Sequence, residues 1–285
     1  MIQSMTGFGK ATLQLPTKKI TIEIKSLNSK GMDLNVRMPY VYREMELGLR
    51  NQISQKLERG KVDFSLYIEV TGEETSSKIN IPIVKAYISQ LRQVVDGDET
   101  ELLKMAVRMP DAMKTERDEI DENEWKQIQT VIDEGLNNIL NFRASEGASL
   151  EKEFKLRIAN IQSLMNDAVA LDPERVQAIK DRLQNAIEEL KVNVDENRFE
   201  QELIYYLEKL DITEEKVRLE NHLKYFLETL AGNEANGRKL GFITQEMGRE
   251  INTMGSKSNH ATMQKLVVQM KDELEKIKEQ VLNVL

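Results

Sequence analysis

The residues best able to do chemistry lie in two stretches of the last third of the chain. The first is Asp211-Ile212-Thr213-Glu214-Glu215-Lys216-Val217-Arg218-Leu219-Glu220-Asn221-His222. At roughly 100° per residue, a helix puts Glu215, Arg218 and His222 in one narrow wedge. A carboxylate, a guanidinium and an imidazole side by side supply a metal ligand or base, a phosphate clamp and a proton-transfer group. Asp211 joins that wedge only if the helix begins before it. Thr213 equally reads as the N-cap, with Glu214 and Glu215 in the first turn, where acids favour the helix dipole. Leu219, Leu223, Phe226 and Leu230 form a separate apolar stripe.

The second stretch runs over residues 237–257. Glu246 and Glu250 are four apart, so one helix presents both carboxylates together, and Thr253 and Lys257 continue that face. Paired carboxylates suit a hard divalent cation such as Mg²⁺ or Mn²⁺. Gly241, Gly248 and Gly255 weaken the helix by about 1 kcal/mol each, and glycine amid polar residues marks a close approach of backbone or ligand. If the two helices pack antiparallel, with residues 230–236 as their turn, Glu215, His222, Glu246 and Glu250 converge in one groove. That set suits metal-assisted phosphodiester hydrolysis, with Arg218 beside it and Arg238, Lys239, Arg249, Asn252 and Lys257 placed to hold a polyanion. A plainer reading stands beside this one. Glu215 with Arg218 is then a surface ion pair worth a few tenths of a kcal/mol, and Glu246 with Glu250 a solvated helix face.

The elements that must position these residues can be read from hydrophobic period. Ile20, Ile22 and Ile24 share one face of a strand, residues 34–38 alternate likewise up to Pro39, and residues 62–70 return to strand alternation. A helix is predicted between them over 42–57. Helices are predicted over 83–95 and almost continuously from Trp125 onward, with Asp172-Pro173 as a start signal. Residues 116–124 read as a mobile acidic surface segment. Leu266, Met270, Leu274, Ile277 and Val281 make a buried or oligomeric stripe near the C-terminus. The fold class is therefore α+β: an N-terminal sheet with covering helices, then a mainly helical region of long packed helices. The expected division is an N-terminal domain over 1–155 and a helical domain over 156–285.

Composition narrows the function. With no cysteine, a thiol nucleophile, disulfides and Cys-based zinc sites are excluded. No apolar run is long enough to span a bilayer and no leader pattern opens the chain, so a cytoplasmic protein without a membrane partner is expected. The net charge of −8 argues against indiscriminate nucleic-acid binding. Yet residues 1–61 carry eleven basic residues against five acidic ones, so the N-terminal third can meet a polyanion locally. Gly7-Phe8-Gly9 lacks the following Gly-Lys-Ser/Thr of a phosphate loop and reads as a strand irregularity, such as a bulge.

Several motifs in one order resemble the YicC/YloC family of bacterial endoribonucleases, over most of the chain. They are Ser4-Met5-Thr6-Gly7-Phe8-Gly9; Glu23 through Asn28 to Arg37-Met38-Pro39; Arg59-Gly60-Lys61-Val62; and Arg143-Ala144-Ser145-Glu146-Gly147-Ala148-Ser149-Leu150. The C-terminal set is the most specific. It comprises Glu214-Glu215, Arg218-Leu219, His222, Gly237-Arg238-Lys239-Leu240, Gln245-Glu246-Met247, Arg249-Glu250, Asn252-Thr253 and Ser256-Lys257. Gly241 stands where the family usually has Asp, and Gly248 where it usually has Asn. The resemblance implies metal-dependent cleavage of single-stranded or structured RNA, in RNA turnover that includes small regulatory RNA. It also implies a homo-oligomer, a hexamer. The competing expectation is a non-catalytic, oligomeric RNA-binding or scaffold protein. A phosphodiesterase of small nucleotides finds no support in the basic N-terminal third.

Overall fold

A computed structural model describes residues 2–71, 78–114, 122–190, 196–232 and 237–285. Strands β1 (Gly7–Gln14), β2 (Lys18–Leu27), β3 (Met32–Arg37) and β4 (Gly60–Val70) form a four-stranded sheet in the order β1-β2-β4-β3. Its neighbours are antiparallel except β3, which lies parallel to β4. The parallel step needs a crossover, supplied by a 3₁₀ turn (Tyr40–Met45) and helix α1 (Glu46–Leu57). The predicted helix over 42–57 is thus real from Glu46, while its first turn is tighter, following Pro39.

Period-two alternation sends Ile20, Ile22 and Ile24 of β2 and Val62, Phe64 and Leu66 of β4 to one side, where they are buried. Burying each such side chain contributes about 1.5–3 kcal/mol. Leu49, Ile53 and Leu57 of α1 complete this core with one face of helix α4 (Glu122–Ala170). Among the described residues no helix lies over the sheet's other face.

Between these elements and α4 lies a small unit. It holds the short strands β5 (Lys78–Ile79) and β6 (Met113–Lys114) and helices α2 (Ile81–Val94) and α3 (Glu99–Ala106). Residues 115–121, most of the predicted acidic segment, lie outside the described residues. Its end is ordered helix instead: Glu124 in the first turn of α4 accepts from Lys18 Nζ at 3.1 Å and Tyr42 Oη at 2.7 Å.

At 1.5 Å per residue, the 49 residues of α4 span about 70 Å. Its first half serves the sheet core through Ile128, Ile132 and Ile139; its second half serves a helical core through Phe154, Ile158, Ile161 and Met165. The expected division at 155/156 therefore falls inside one continuous helix. After α5 (Asp172–Leu190) and α6 (Glu196–Leu210), helices α7 (Thr213–Leu230), α8 (Gly237–Lys257) and α9 (Ala261–Val281) pack with α4 into that second core. Met263, Val267, Met270, Leu274, Ile277 and Val281 of α9 are buried within it. The C-terminal stripe is thus core, and Leu266 lies at its margin. Among the described residues no helix is long and apolar enough to cross a membrane.

Arg143 ties three of the N-terminal motifs together. Its fully buried guanidinium donates to the carbonyls of Leu57 (2.9 Å), Arg59 (3.0 Å) and Met5 (3.3 Å) and to Ser26 Oγ (2.5 Å). Burial pushes its pKa below the usual arginine value, and nearby Glu58 acts the other way. The Ser-Met-Thr, Arg-Gly-Lys and Arg-Ala-Ser-Glu-Gly motifs meet here as architecture. A Cβ on Gly147 would stand 2.0 Å from the Ile2 carbonyl oxygen, so only glycine lets the N-terminal segment lie against α4. Nor is Gly7-Phe8-Gly9 a bulge. The β1–β2 register runs one-to-one from Gly7↔Ser26 to Gln14↔Lys19, and a Cβ on Gly9 would meet the Gly135 carbonyl oxygen at 2.3 Å. Glycine here serves a close strand–helix contact.

Candidate active site

Helices α7 and α8 are antiparallel, the arrangement under which their polar faces were expected to converge. At one end Lys257 Nζ of α8 donates to Glu215 Oε1 and to the Asp211 carbonyl, each at 2.8 Å. At the other end Lys239 Nζ lies 4.9 Å from the centre of the Tyr225 ring. Both contacts cross from one edge of α8 to one edge of α7. Helical phase puts Glu246, Glu250 and Thr253 on the same α8 edge as Lys239 and Lys257, and His222 on the same α7 edge as Glu215 and Tyr225.

The start of α7 differs from expectation. Helix begins at Thr213 with Ile212, not Thr213, at the cap position and no side chain capping it; Asp211, just outside the helix, accepts from Thr213 N at 3.1 Å and Thr213 Oγ1 at 2.7 Å. Those Thr213 hydrogen bonds, aided by the nearby Lys257 charge, hold the Asp211 carboxyl below its usual range against a modest burial effect. Asp211 is therefore outside the wedge of Glu215, Arg218 and His222. The wedge itself splits. Glu215 is buried, His222 half-buried, and Arg218 is exposed and turned to Glu214 one turn back.

The carboxylates have distinct surroundings. Glu215 is 5% exposed; Oε1 is held by Lys257, and Oε2 is buried without a hydrogen-bond partner. Glu250 is 9% exposed and sits at the edge of the apolar stripe of Met247, Ile251 and Met254. Glu246 is more open and pairs with Arg249 at 2.8 Å. Among the described residues no three His, Asp or Glu side chains stand close enough to hold one ion. Glu215, His222, Glu246 and Glu250, all among the described residues, do not gather as a set of three or more ligands, and one Glu215 oxygen is taken by the Lys257 ammonium.

The residues expected to hold a polyanion fall into a pattern. Arg238, Arg249 and Asn252 are exposed along one outward stripe of α8, with Arg238 stacked 5.9 Å from the centre of the Phe242 ring. Lys239 and Lys257 stand at the two ends of the carboxylate edge. The glycines lie elsewhere. Gly241, Gly248 and Gly255 recur every seven residues and face α9, where added Cβ atoms would meet Val281 (3.7 Å), Leu274 (3.4 Å) and Val267 (3.0 Å). The two departures from the family pattern are therefore in the α8–α9 seam, away from the carboxylates.

Sequence reasoning missed Arg175. Its buried guanidinium pairs with Asp172 at 2.7 Å and donates to the Lys257 carbonyl at 2.9 Å, closing the C-terminus of α8 and fixing Lys257. Its place in the first turn after Asp172-Pro173 is visible in the sequence; its distant partner is not.

Two family models match the chain. Residues 2–152 match the N-terminal region, and residues 168–285 the C-terminal part, of the family described as endoribonuclease YicC-like. The chain belongs to the YicC-like endoribonuclease family. It is 31% identical over 293 residues to a protein of Clostridioides difficile strain 630 named probable endoribonuclease YicC, with the whole of both chains covered. It is 30% identical over 288 residues to the protein of the same name from Haemophilus influenzae, again over all of both chains.

Proposed function

We propose that the facing edges of α7 and α8 form the active centre of a divalent-metal-dependent endoribonuclease that cleaves single-stranded or structured RNA. One observation carries this reading. Buried carboxylates at Glu215 and Glu250, with Glu246 and His222 beside them, are bracketed by Lys239 and Lys257 and flanked by the Arg238–Arg249–Asn252 stripe. Cations on a rim attract phosphates, whereas carboxylates between them repel RNA unless a further cation intervenes.

A cage of three or more protein ligands does not fit these residues. A Mg²⁺ or Mn²⁺ ion held by one or two carboxylates and completed by water and phosphate oxygens does fit, with Glu250 and Glu246 as its holders. Such an ion would supply positive charge at the phosphate and acidify a bound water. The protein's own groups do the rest. Lys257, fixed by Glu215 and by Arg175 through its carbonyl, presents an ammonium at one end of the edge. His222 gives or takes a proton at the reacting oxygen. Arg218 exchanges its weak exposed pairing with Glu214 for a phosphate. Glu215, named as a metal ligand from spacing alone, acts instead as counter-ion to Lys257.

Two further parts of this reading are a closed homo-oligomer, a hexamer, and a cytoplasmic location. The oligomer needs a surface other than the α9 stripe, which is spent in the core.

The test uses purified protein and end-labelled RNA, with and without chelator. Discrete internal cuts that vanish with chelator and return with Mn²⁺ or Mg²⁺ are expected. A 3′-hydroxyl end would show attack by water; a cyclic phosphate would show attack by the 2′-hydroxyl with His222 as acid or base. RNA that is bound and never cut would favour the non-catalytic scaffold instead.

A further inference from the structure

The open face of the N-terminal sheet takes no part in the site above, yet it carries side chains suited to RNA. Side chains alternate along each strand, so Phe8, Lys25, Asp63 and Asn35 form one outward row, and Lys10, Glu23, Ser65 and Arg37 the next. Tyr67 stands on the row beyond, beside Thr21. Phe8 is 41% and Tyr67 54% exposed. Aromatic rings open on a polar face beside cations offer stacking surface for unpaired bases. From strand spacing the two rings are about 17 Å apart across the face, a few nucleotides of extended single strand.

The charges on this face favour an anion. Its outward positions carry Lys10, Lys19, Lys25, Lys61 and Arg37 against Glu23, Asp33, Asp63 and Glu69. Glu23 is held by Lys10 at 3.0 Å and Lys25 at 3.8 Å, Asp63 accepts from Asn35 at 2.8 Å, and at the β3 edge Glu46 of α1 is held by Arg50 at 2.8 Å. Arg37 and Arg43 form no ion pair among the described residues. They line a concavity of about 380 Å³ at the free edge of β3, which shares Arg37 with a smaller one of about 200 Å³ on the sheet face beside Tyr67. A continuous path therefore leads from the open rings over the sheet edge to two uncompensated guanidiniums, in a chain whose net charge is −8.

We infer that this face is a single-stranded RNA track: bases stack on Phe8 and Tyr67, and phosphates cross the β3 edge against Arg37 and Arg43. The inference rests on the RNA-cleaving reading for its substrate and adds where the uncut strand is held. It also gives the track a preference. Unpaired bases reach the rings; duplexed ones do not.

The test uses the full chain in chelator, with a short labelled oligouridylate and an RNA duplex of equal length, followed by fluorescence anisotropy over a salt series. Phe8→Leu with Tyr67→Leu keeps apolar area and removes stacking. It should weaken single-strand binding at least about tenfold, with little change in salt dependence and little effect on the duplex. Arg37→Gln with Arg43→Gln should weaken binding and flatten the salt slope by about 1.4, two phosphates at about 0.7 each. If both folded pairs bind the single strand like the wild type, the track is wrong, and cleavage by the wild type would leave the endoribonuclease reading standing. If the pairs lose binding while the wild type binds but never cuts, the track stands and the endoribonuclease reading falls. Altered oligomer size in light scattering, with RNA affinity unchanged, would make this face a subunit contact and overturn the inference.

Discussion

Replacing Lys257 by methionine removes one ammonium and keeps most of its aliphatic stem, which makes it a clean probe of the α7–α8 edge. Glu215 Oε1 then loses its 2.8 Å partner, Oε2 has none already, and the side chain is only 6% exposed. Stripping one partner from a buried pair costs about 3–5 kcal/mol. Two features lower that figure. The Lys257 side chain is 26% exposed, so water already screens part of the interaction. Glu215 also sits in the first turn of α7, where the helix dipole favours an anion by about 0.3–1 kcal/mol. The expected net loss is about 2–3 kcal/mol. Glu215→Gln leaves an ammonium that reaches water and should cost only about 1 kcal/mol. The double variant should resemble Glu215→Gln, a coupling of about 2–3 kcal/mol. Urea unfolding followed by circular dichroism at neutral pH measures all three. Losses that add, or a Lys257→Met cost below about 1 kcal/mol, would show that Glu215 behaves as a surface carboxylate.

Three further expectations concern the packing and the rim. Burial opposes ionisation of Glu273, yet hydrogen bonds from Lys276, Asn160 and Arg157 outweigh it and hold the carboxyl down at about 2 against 4.5. Its stabilisation is complete above pH 4.5 and is lost as pH falls toward 2; with water screening the half-exposed Lys276 partner, Glu273→Gln should cost about 1–2 kcal/mol at neutral pH and progressively less in acid, and a pH-independent deficit would contradict this. Gly241→Ala, with only an ordinary 3.7 Å contact to Val281, should be neutral or gain up to about 1 kcal/mol, whereas Gly147→Ala should lose about 1–3 kcal/mol or more against the Ile2 carbonyl; thermal melts giving the reverse order would refute the packing described. Neutralising Arg238 and Lys239 should weaken RNA binding and its salt dependence more than neutralising Lys265 and Lys271 on exposed positions of α9; equal losses would remove the α8 stripe from the RNA path.

The sequence reveals what repeats locally. The period of Ile20, Ile22 and Ile24 and the stripes of α7 and α9 led to the sheet, the helices and the α+β class, because burial selects side chains at the repeat of each element. The antiparallel packing of α7 on α8 entered only as a condition on the two faces meeting, and the structure meets it. What spacing could not carry was the choice of partner across the chain. Glu215 and His222 share a helical edge, but Lys257 arrives from another helix and takes the carboxylate. The buried Arg143 and Arg175 look like any charged helix residue until carbonyls from distant segments close around them. The bulge expected at Gly7-Phe8-Gly9 failed similarly. Its glycines answer to α4, more than a hundred residues later. Exposed rings at Phe8 and Tyr67 hid in the strand alternation, since period two marks both faces without saying which one a helix will cover.

The most direct measurement of the central claim is single-turnover cleavage of labelled RNA by Glu250→Gln, alongside Glu246→Gln, His222→Ala and the wild type, across a metal titration and with RNA binding measured on the same samples. Glutamine keeps shape and removes charge, so folding should persist, and RNA binding should hold or strengthen as a negative charge leaves the edge. The account predicts that Glu250→Gln and Glu246→Gln abolish cleavage while binding RNA, and that His222→Ala stays slow at every metal concentration, the mark of a lost proton-transfer group rather than a lost ligand. Folded glutamine variants that cut RNA at near the wild-type rate would contradict it and reduce the α7–α8 edge to helix packing.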